Sequence, residues 1–327
     1  MTAHHHLSSL PLMRYFSYRN PLSILLTVYG LFFYLNGKAA IPEVSSGTVV
    51  RIDSFPAVRI KPRTVDIWLP EGYPANGPYA VCYFQDGQML FDSSLTWNRQ
   101  EWGVDETFGR LTAAGKIRPC IVVGIFNGGA RRHAEYFPQK PFESLPASFR
   151  DSLYDMHRPE GASIFSGTEV CSDEYLKFLV YELKPYVDSV YRTDPSRSAT
   201  FVAGSSMGGL ISLYAMCEYP GVFGGAACLS THWPGIFSVV DNPVPATFMD
   251  YMYTSLPSPA DHLLYFDRGD RTLDELYEPY QSVADAVVRA RGYTDATFLS
   301  KVFPGADHSE RSWSARLDQP VLFLLGK

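Results

Sequence analysis

The segment Gly204-Ser205-Ser206-Met207-Gly208-Gly209 constrains this chain more than any other. Before it, Ser198 to Ala203 is short, mostly apolar and carries Thr, Phe and Val, as a buried strand would. After it, Leu210, Leu213, Tyr214 and Cys217 recur at the spacing of one helix face, and Pro220 stops that helix. A Ser flanked by Gly at a strand–helix junction makes a turn so tight that its neighbours must be nearly free of side chain. That turn pushes the Ser hydroxyl out beyond the sheet. It also aims the helix N-terminus at whatever bonds to that oxygen, which favours developing negative charge. Ser206 is therefore expected to be a nucleophile. The plainer reading is a Gly/Ser-rich turn that packs a helix on a sheet, and it does not account for strand and helix together.

Around this junction the chain alternates strand and helix. Residues 48 to 55 and 64 to 69 read as an edge hairpin, followed by buried strands over 79–85, 120–126, 224–229, 263–266 and 297–303. Helices are expected over 104–114, over 173–190 (capped by Ser172 and kinked at Pro185), over 273–291 and at the C-terminus. Residues 133–171 have no clear period and read as an insertion over the sheet edge. Such alternation predicts an α/β fold with a mainly parallel sheet and helices on both faces, whose ligands bind beyond the carboxyl ends of the strands. Asp86, Gln88, Arg131, Arg132, Ser206, His232, residues 267–274 and His308 all fall at such ends.

The 327 residues are 46% hydrophobic, enough for one large core. Net charge is −6 with no Lys/Arg run, which argues against nucleic acid and an anionic membrane surface as partners. Arg14 and Arg19 precede the apolar run Pro21 to Leu35, which ends in small residues at Ala39 and Ala40. Residues 1–40 thus read as a secretory signal peptide, with Met13 a candidate start. The alternative is an anchor over residues 21–35, a run short for a stable span. The remaining domain is 41–327, expected outside the cytosol. His4-His5-His6 is read as incidental. Five Cys, at 82, 120, 171, 217 and 228, leave at least one thiol free, and no Cys/His cluster predicts a metal.

A Ser hydroxyl needs a base, and the base needs an acid to orient it; in elbow enzymes the chain order is Ser, acid, His. His232, His262 and His308 follow Ser206. His308 alone lies in a loop after the last strand, whence it can reach back over Ser206. His232 and Trp233 are read as pocket residues. The acid is one of Asp267, Asp270 and Asp274; Asp274 is preferred because it starts a helix at the rim, where its carboxylate stays ionised. The oxyanion donors are the N–H of Met207 and that of Gln88, beside Gly87.

Four motifs make the chain recognisable: Tyr83-Phe-Gln-Asp-Gly-Gln88, Arg132-His-Ala-Glu135, Gly204-Ser-Ser-Met-Gly-Gly209, and His308 with Trp313 five residues on. From about Val65 to the C-terminus it resembles the putative-esterase group of α/β-hydrolases, which includes esterase D, enterochelin esterases, feruloyl esterases and mycolyltransferases. The resemblance implies an α/β-hydrolase fold, a Ser–acid–His triad, no cofactor, and a small-molecule or glycan-linked ester as substrate. Arg132 and Glu135 stand where siderophore-esterase-like members have a similar Arg-x-x-Glu, which implies substrate contact; a salt bridge steadying the loop is the other reading. The expected activity is carboxylic-ester hydrolysis. Its rivals are acyl transfer at the same site and an inactive binding module of this fold.

Overall fold

The computed structural model describes residues 40–157 and 161–327. The His run, Arg14, Arg19, the 21–35 run and Ala39 lie outside the described residues. Residues Ile41–Lys327 form one compact unit.

One eight-stranded sheet carries the unit: β1 (Thr48–Phe55), β2 (Arg63–Leu69), β3 (Ala80–Phe84), β4 (Cys120–Ile125), β5 (Thr200–Ser205), β6 (Gly225–Leu229), β7 (Leu263–Arg268) and β8 (Phe298–Val302). Their spatial order is β1-β2-β4-β3-β5-β6-β7-β8. β2 runs antiparallel to both β1 and β4, so the 48–69 hairpin forms an edge; the pairs from β4 to β8 are all parallel. The pleat explains why the inner strands read as unbroken apolar runs. Val81 and Tyr83 of β3 face one layer with Val123 and Val202, while Ala80, Cys82 and Phe84 face the other with Val122 and Phe201. Both faces are covered, so neither set alternates with polar residues.

The helices follow in chain order: α1 (Val104–Ala113), α2 (Arg132–Tyr136), α3 (Gln139–Ser144), α4 (Ala147–Tyr154), α5 (Ser172–Phe178), α6 (Lys184–Val190), α7 (Met207–Glu218), α8 (Val244–Ser255), α9 (Glu278–Ala290), α10 (Glu310–Ser314) and α11 (Asp318–Leu325). Phe108 and Leu111 of α1 and Val321 and Leu324 of α11 fill the second layer, and α2 to α9 serve the first. Phe108 is fully buried there, so truncating it to Ala would cost about 3–5 kcal/mol.

Several elements depart from expectation. The described residues of 133–171 do not hang over the sheet edge. Tyr136, Phe137, Phe142, Leu153 and Phe165 are buried in the first layer, and α3 packs on α8. These helices are too short, and too interrupted by Pro138, Pro141 and Pro146, to display a period. Ser172 opens α5 but does not cap it; Cys171 holds the cap position without a side-chain capping bond. Pro185 follows a π-helical turn over Leu179–Leu183. The wider turn relieves the clash between a proline ring and the carbonyl four residues back. The expected 273–291 helix is a 3₁₀ turn, Thr272–Leu276, and then α9. All five cysteines are free thiols, four of them buried.

Candidate active site

Ser206 sits between β5 and α7 with φ 56° and ψ −123°, a conformation that costs an L-residue of order 1–3 kcal/mol. The surroundings enforce it. Ser206 donates its N–H to the Leu229 carbonyl at 2.9 Å, and its own carbonyl accepts from His232 N–H at 3.2 Å. A Cβ on Gly204 would stand 2.7 Å from the Gly208 carbonyl group, so the turn closes only with glycine there. Met207 is the first residue of α7, and its N–H therefore has no acceptor within the helix.

His308 lies in the loop between β8 and α10. Its Nδ1 is 2.6 Å from Asp274 Oδ1, and its backbone N–H donates to Thr272 Oγ1 at 3.0 Å. Trp313 stands edge-on to the ring at 5.0 Å and Tyr277 at 5.8 Å, which fixes the imidazole plane. Asp274 is fully buried, and Oδ2 accepts from Ser230 Oγ and Gly269 N–H, both at 2.6 Å. Burial alone would raise this carboxyl's pKa. The bond to His308, its charge, and the Ser230 and Gly269 donors outweigh burial and hold it below the usual carboxylate value. Asp274 thus lies in a 3₁₀ turn, and its ionisation rests on these partners rather than on the α9 N-terminus. Ser230 in turn accepts from Trp313 Nε1 at 3.0 Å and Arg316 at 2.8 Å. Asp267 makes no bond to His308; it accepts from Ser230 N–H at 3.3 Å and forms a buried ion pair with Arg316 at 2.9 Å. Asp270 is part exposed and accepts from Gly305 N–H at 2.7 Å.

The turn after β3 places Asp86 at φ 55° and Gln88 in a one-turn 3₁₀ helix, Gly87–Met89. Gly87 is pressed on β4: a Cβ there would meet the Gly124 carbonyl carbon at 2.4 Å. Asp86 is held by Arg132 Nε and Nη2 at 2.6 and 2.7 Å, and by Asn127 Nδ2 at 2.7 Å. Gln88 Oε1 accepts from Asn127 N–H at 3.2 Å. Burial works against the Arg132 charge, but Asp86 outweighs it and raises the guanidinium pKa above its ordinary value.

These turns meet in a cleft of about 340 Å³ lined by Asp86, Gln88, Met89, Trp97, Trp102, Asn127, Arg132, Ser205, Ser206, His308, Glu310 and Trp313. Ser206, His308, Gln88 and Arg132 are thus brought to one opening. Glu135 is not: it is fully buried and bonded to Arg63 at 2.9 and 3.0 Å. Trp233 is also fully buried, donating to Gln281 at 2.8 Å and lining a small apolar pocket with Leu210 and Phe248. His232 lies behind Ser206, its Nδ1 2.8 Å from the Tyr277 hydroxyl.

Comparison of the chain with known proteins is a second, independent route. The chain matches the family described as "Putative esterase" over residues 60–324. It belongs to that esterase family. Its fold, the α/β-hydrolase fold, is similar to that of a ferulic acid esterase with TM-score 0.61 and 20% identity, covering 86% of this chain and 99% of that one. The enterobactin esterase FES from Shigella flexneri gives TM-score 0.57 at 18% identity, covering 88% and 61%. An IroE-like serine hydrolase from Shewanella oneidensis gives 0.60 at 18%, covering 85% and 80%. Two uncharacterized proteins of Bacillus subtilis (strain 168), YbbA and YjcH, are 24% and 25% identical. The chain spans only 58% and 60% of the length of these curated relatives.

For this member of the esterase family, the residues that sequence reasoning passed over are Trp97, Trp102, Asn127, Tyr277 and Glu310. Tyr277 had a signal, since it stands three residues after Asp274 and a 3₁₀ turn returns i+3 to the same side. Trp97 had a weaker one, a lone indole in the polar stretch 92–101.

Proposed function

We propose that this chain is a serine carboxylic-ester hydrolase with Ser206 as nucleophile, His308 as base and Asp274 as the acid that orients it. The observation carrying this reading is the 2.6 Å Asp274–His308 bond, in a cleft that also holds the strained Ser206. Ser206 Oγ attacks the ester carbonyl and gives its proton to His308 Nε2. The resulting oxyanion is held by the N–H groups of Met207 and Gln88, each at the start of a helical turn and free of a helical acceptor. Collapse expels the alcohol, which takes the proton from His308, and water releases the acyl group by the same steps in reverse roles. The Asp274 carboxylate stabilises the imidazolium at each step.

Two features of the cleft, its aromatic lining and its charge, support a neutral ester bearing a planar ring, as do the compounds named with similar structures. Trp102, Trp313 and Met89 line it, and Trp97 stands 83% exposed at its rim. Asp86 neutralises Arg132, leaving Glu310 as the uncompensated charge, which disfavours anionic substrates. The ferulic acid and 2,3-dihydroxy-N-benzoyl-glycine named with two similar structures are aromatic compounds. We read Arg132 as the clamp on the Gln88 turn and Glu135 as a structural partner of Arg63, rather than as substrate contacts. The test is hydrolysis of nitrophenyl, feruloyl, acetyl-xylan and catecholate esters by wild type and Ser206→Ala. Retention of the rate within about tenfold by Ser206→Ala would sink the assignment, since losing a nucleophile costs several decades.

The pattern of Arg14, Arg19 and the 21–35 run supports export with cleavage near Ala40, giving a single 41–327 enzyme domain. No helix among the described residues is long and apolar enough to cross a membrane. N-terminal sequencing of secreted or periplasmic material tests the cleavage, and full-length chain found only in cytosol would refute it.

A further inference from the structure

His232 and Tyr277 are buried polar side chains at the site that a Ser–His–Asp mechanism leaves without a task. His232 is 3% exposed and Tyr277 fully buried, and they meet at 2.8 Å between Nδ1 and the phenol oxygen. The pair is tied to all three proposed catalytic groups. His232 N–H holds the Ser206 carbonyl at 3.2 Å, and Tyr277 N–H donates to the Asp274 carbonyl at 3.1 Å. The Tyr277 ring stands edge-on to His308 at 5.8 Å, and its hydroxyl interacts with that of Ser206. A buried phenol bonded to a buried imidazole on one side, and facing a nucleophile on the other, is more than packing needs; phenylalanine would fill the same volume.

We propose that Tyr277 is a further catalytic residue of this site, its hydroxyl oriented by His232 so that it donates to Ser206 Oγ. The direction follows from the proton count. Ser206 has one proton, and it must point at His308 for the attack. An oxygen that gave that proton to Tyr277 would not be activated, so in the productive state His232 Nδ1–H donates to the phenol oxygen and the phenol donates to Oγ. This donor matters where Oγ carries most charge, as its own proton leaves and again when the tetrahedral intermediate formed by water on the acyl-enzyme collapses and Oγ departs. The phenol keeps its proton throughout: burial, and then the Asp274 charge, push its pKa well above the ordinary value.

This inference rests on the proposed ester hydrolysis and is separable from it by experiment. Tyr277→Phe retains the ring contacts to His232 and His308 and removes only the hydroxyl. On nitrophenyl acetate kcat should fall roughly ten- to hundredfold, the scale of a hydrogen bond to a charged oxygen, with KM little changed and Tm lowered only as far as the loss of His232's bond requires. Labelling of Ser206 by a fluorophosphonate should slow by the same factor. His232→Leu should lose a similar amount, His232→Asn less because its amide N–H can stand near Nδ1, and the Tyr277→Phe/His232→Leu double variant no more than the worse single. If Tyr277→Phe works within twofold of wild type while Ser206→Ala is dead, the hydrolase stands and the role of Tyr277 is overturned. Multiplying losses in the double variant overturn it as well, and an active Ser206→Ala overturns both. Should Tyr277→Phe fail to fold, the His232→Leu and His232→Asn pair decides: equal rates refute the proposal.

Discussion

Arg132 grips Asp86 with two parallel hydrogen bonds of 2.6 and 2.7 Å, and through it the turn that carries the Gln88 amide. Asp86 is left-handed at φ 55°, so this turn needs an external hold. Losing one oxyanion donor costs about 10²–10³ in kcat. Arg132→Leu acts one step away and should cost roughly ten- to hundredfold, with KM on nitrophenyl acetate unchanged. Arg132→Lys should not restore it, because an ammonium cannot make the paired bonds. Steady-state kinetics decide between this and substrate binding, which would raise KM, leave kcat alone and vary with substrate charge.

Asp274 and Asp270 separate sharply. Asp274 is fully buried and bonded to His308, Ser230 and Gly269, whereas Asp270 is part exposed and steadies Gly305. Asp274→Asn should lower kcat about 10³- to 10⁴-fold, the scale for losing the orienting acid. Asp270→Asn should cost less than about tenfold, as expected of a part-exposed contact. Both variants are assayed on one chromogenic ester; a crippled Asp270→Asn would reverse the assignment.

The buried Asp267–Arg316 pair anchors the C-terminal segment beneath the site. Burial raises the Asp267 carboxyl, and Arg316 opposes that most strongly. Arg316→Met would leave an uncompensated buried carboxylate and remove a donor from Ser230, at a cost of about 3–5 kcal/mol. Pairing it with Asp267→Leu should recover part of the loss, because no charge is then stranded. Denaturant titration of the single and double variants checks this; a double variant less stable than Arg316→Met would contradict it.

What the sequence makes legible is what local chemistry dictates. The elbow needs glycine beside Ser206 at a strand end, and the parallel strands must be apolar on both faces, so each is visible within ten residues. The His308–Asp274 encounter is readable only as chain order, because the loops that deliver the two residues are 34 positions apart. Glu135 was not readable as a core residue, since its partner Arg63 is 72 positions away and nothing near Glu135 announces it. Likewise the one-turn helices of 132–144 give no period, and their burial depends on α8, whose 244–255 sequence lies a hundred residues on.

Glu101 makes stability depend on pH near neutrality. It lies two residues before Gly103, the N-cap of α1, and next to Trp102, which packs at 5.4 Å on Trp313 beside His308. Its Oε2 is buried without a hydrogen-bond partner. Burial, followed by the charges of Glu106 and Asp105, pushes this carboxyl up to about 7 from an ordinary 4.5. The folded state therefore holds this proton more tightly than the unfolded one between those two values. There the unfolded chain binds fewer protons, so stability falls as pH rises from about 4.5 to 7 and this group adds no further slope beyond. Asp274 acts in the opposite sense at the acid end: its lowered pKa adds stability above the ordinary carboxylate value, lost as pH falls through the folded one. Glu101→Gln should thus raise Tm at pH 8 relative to wild type and leave it nearly unchanged at pH 4.5. Thermal melts at half-unit intervals read the difference; parallel curves for the two proteins across pH 4.5–8 would show that Glu101 does not carry the dependence.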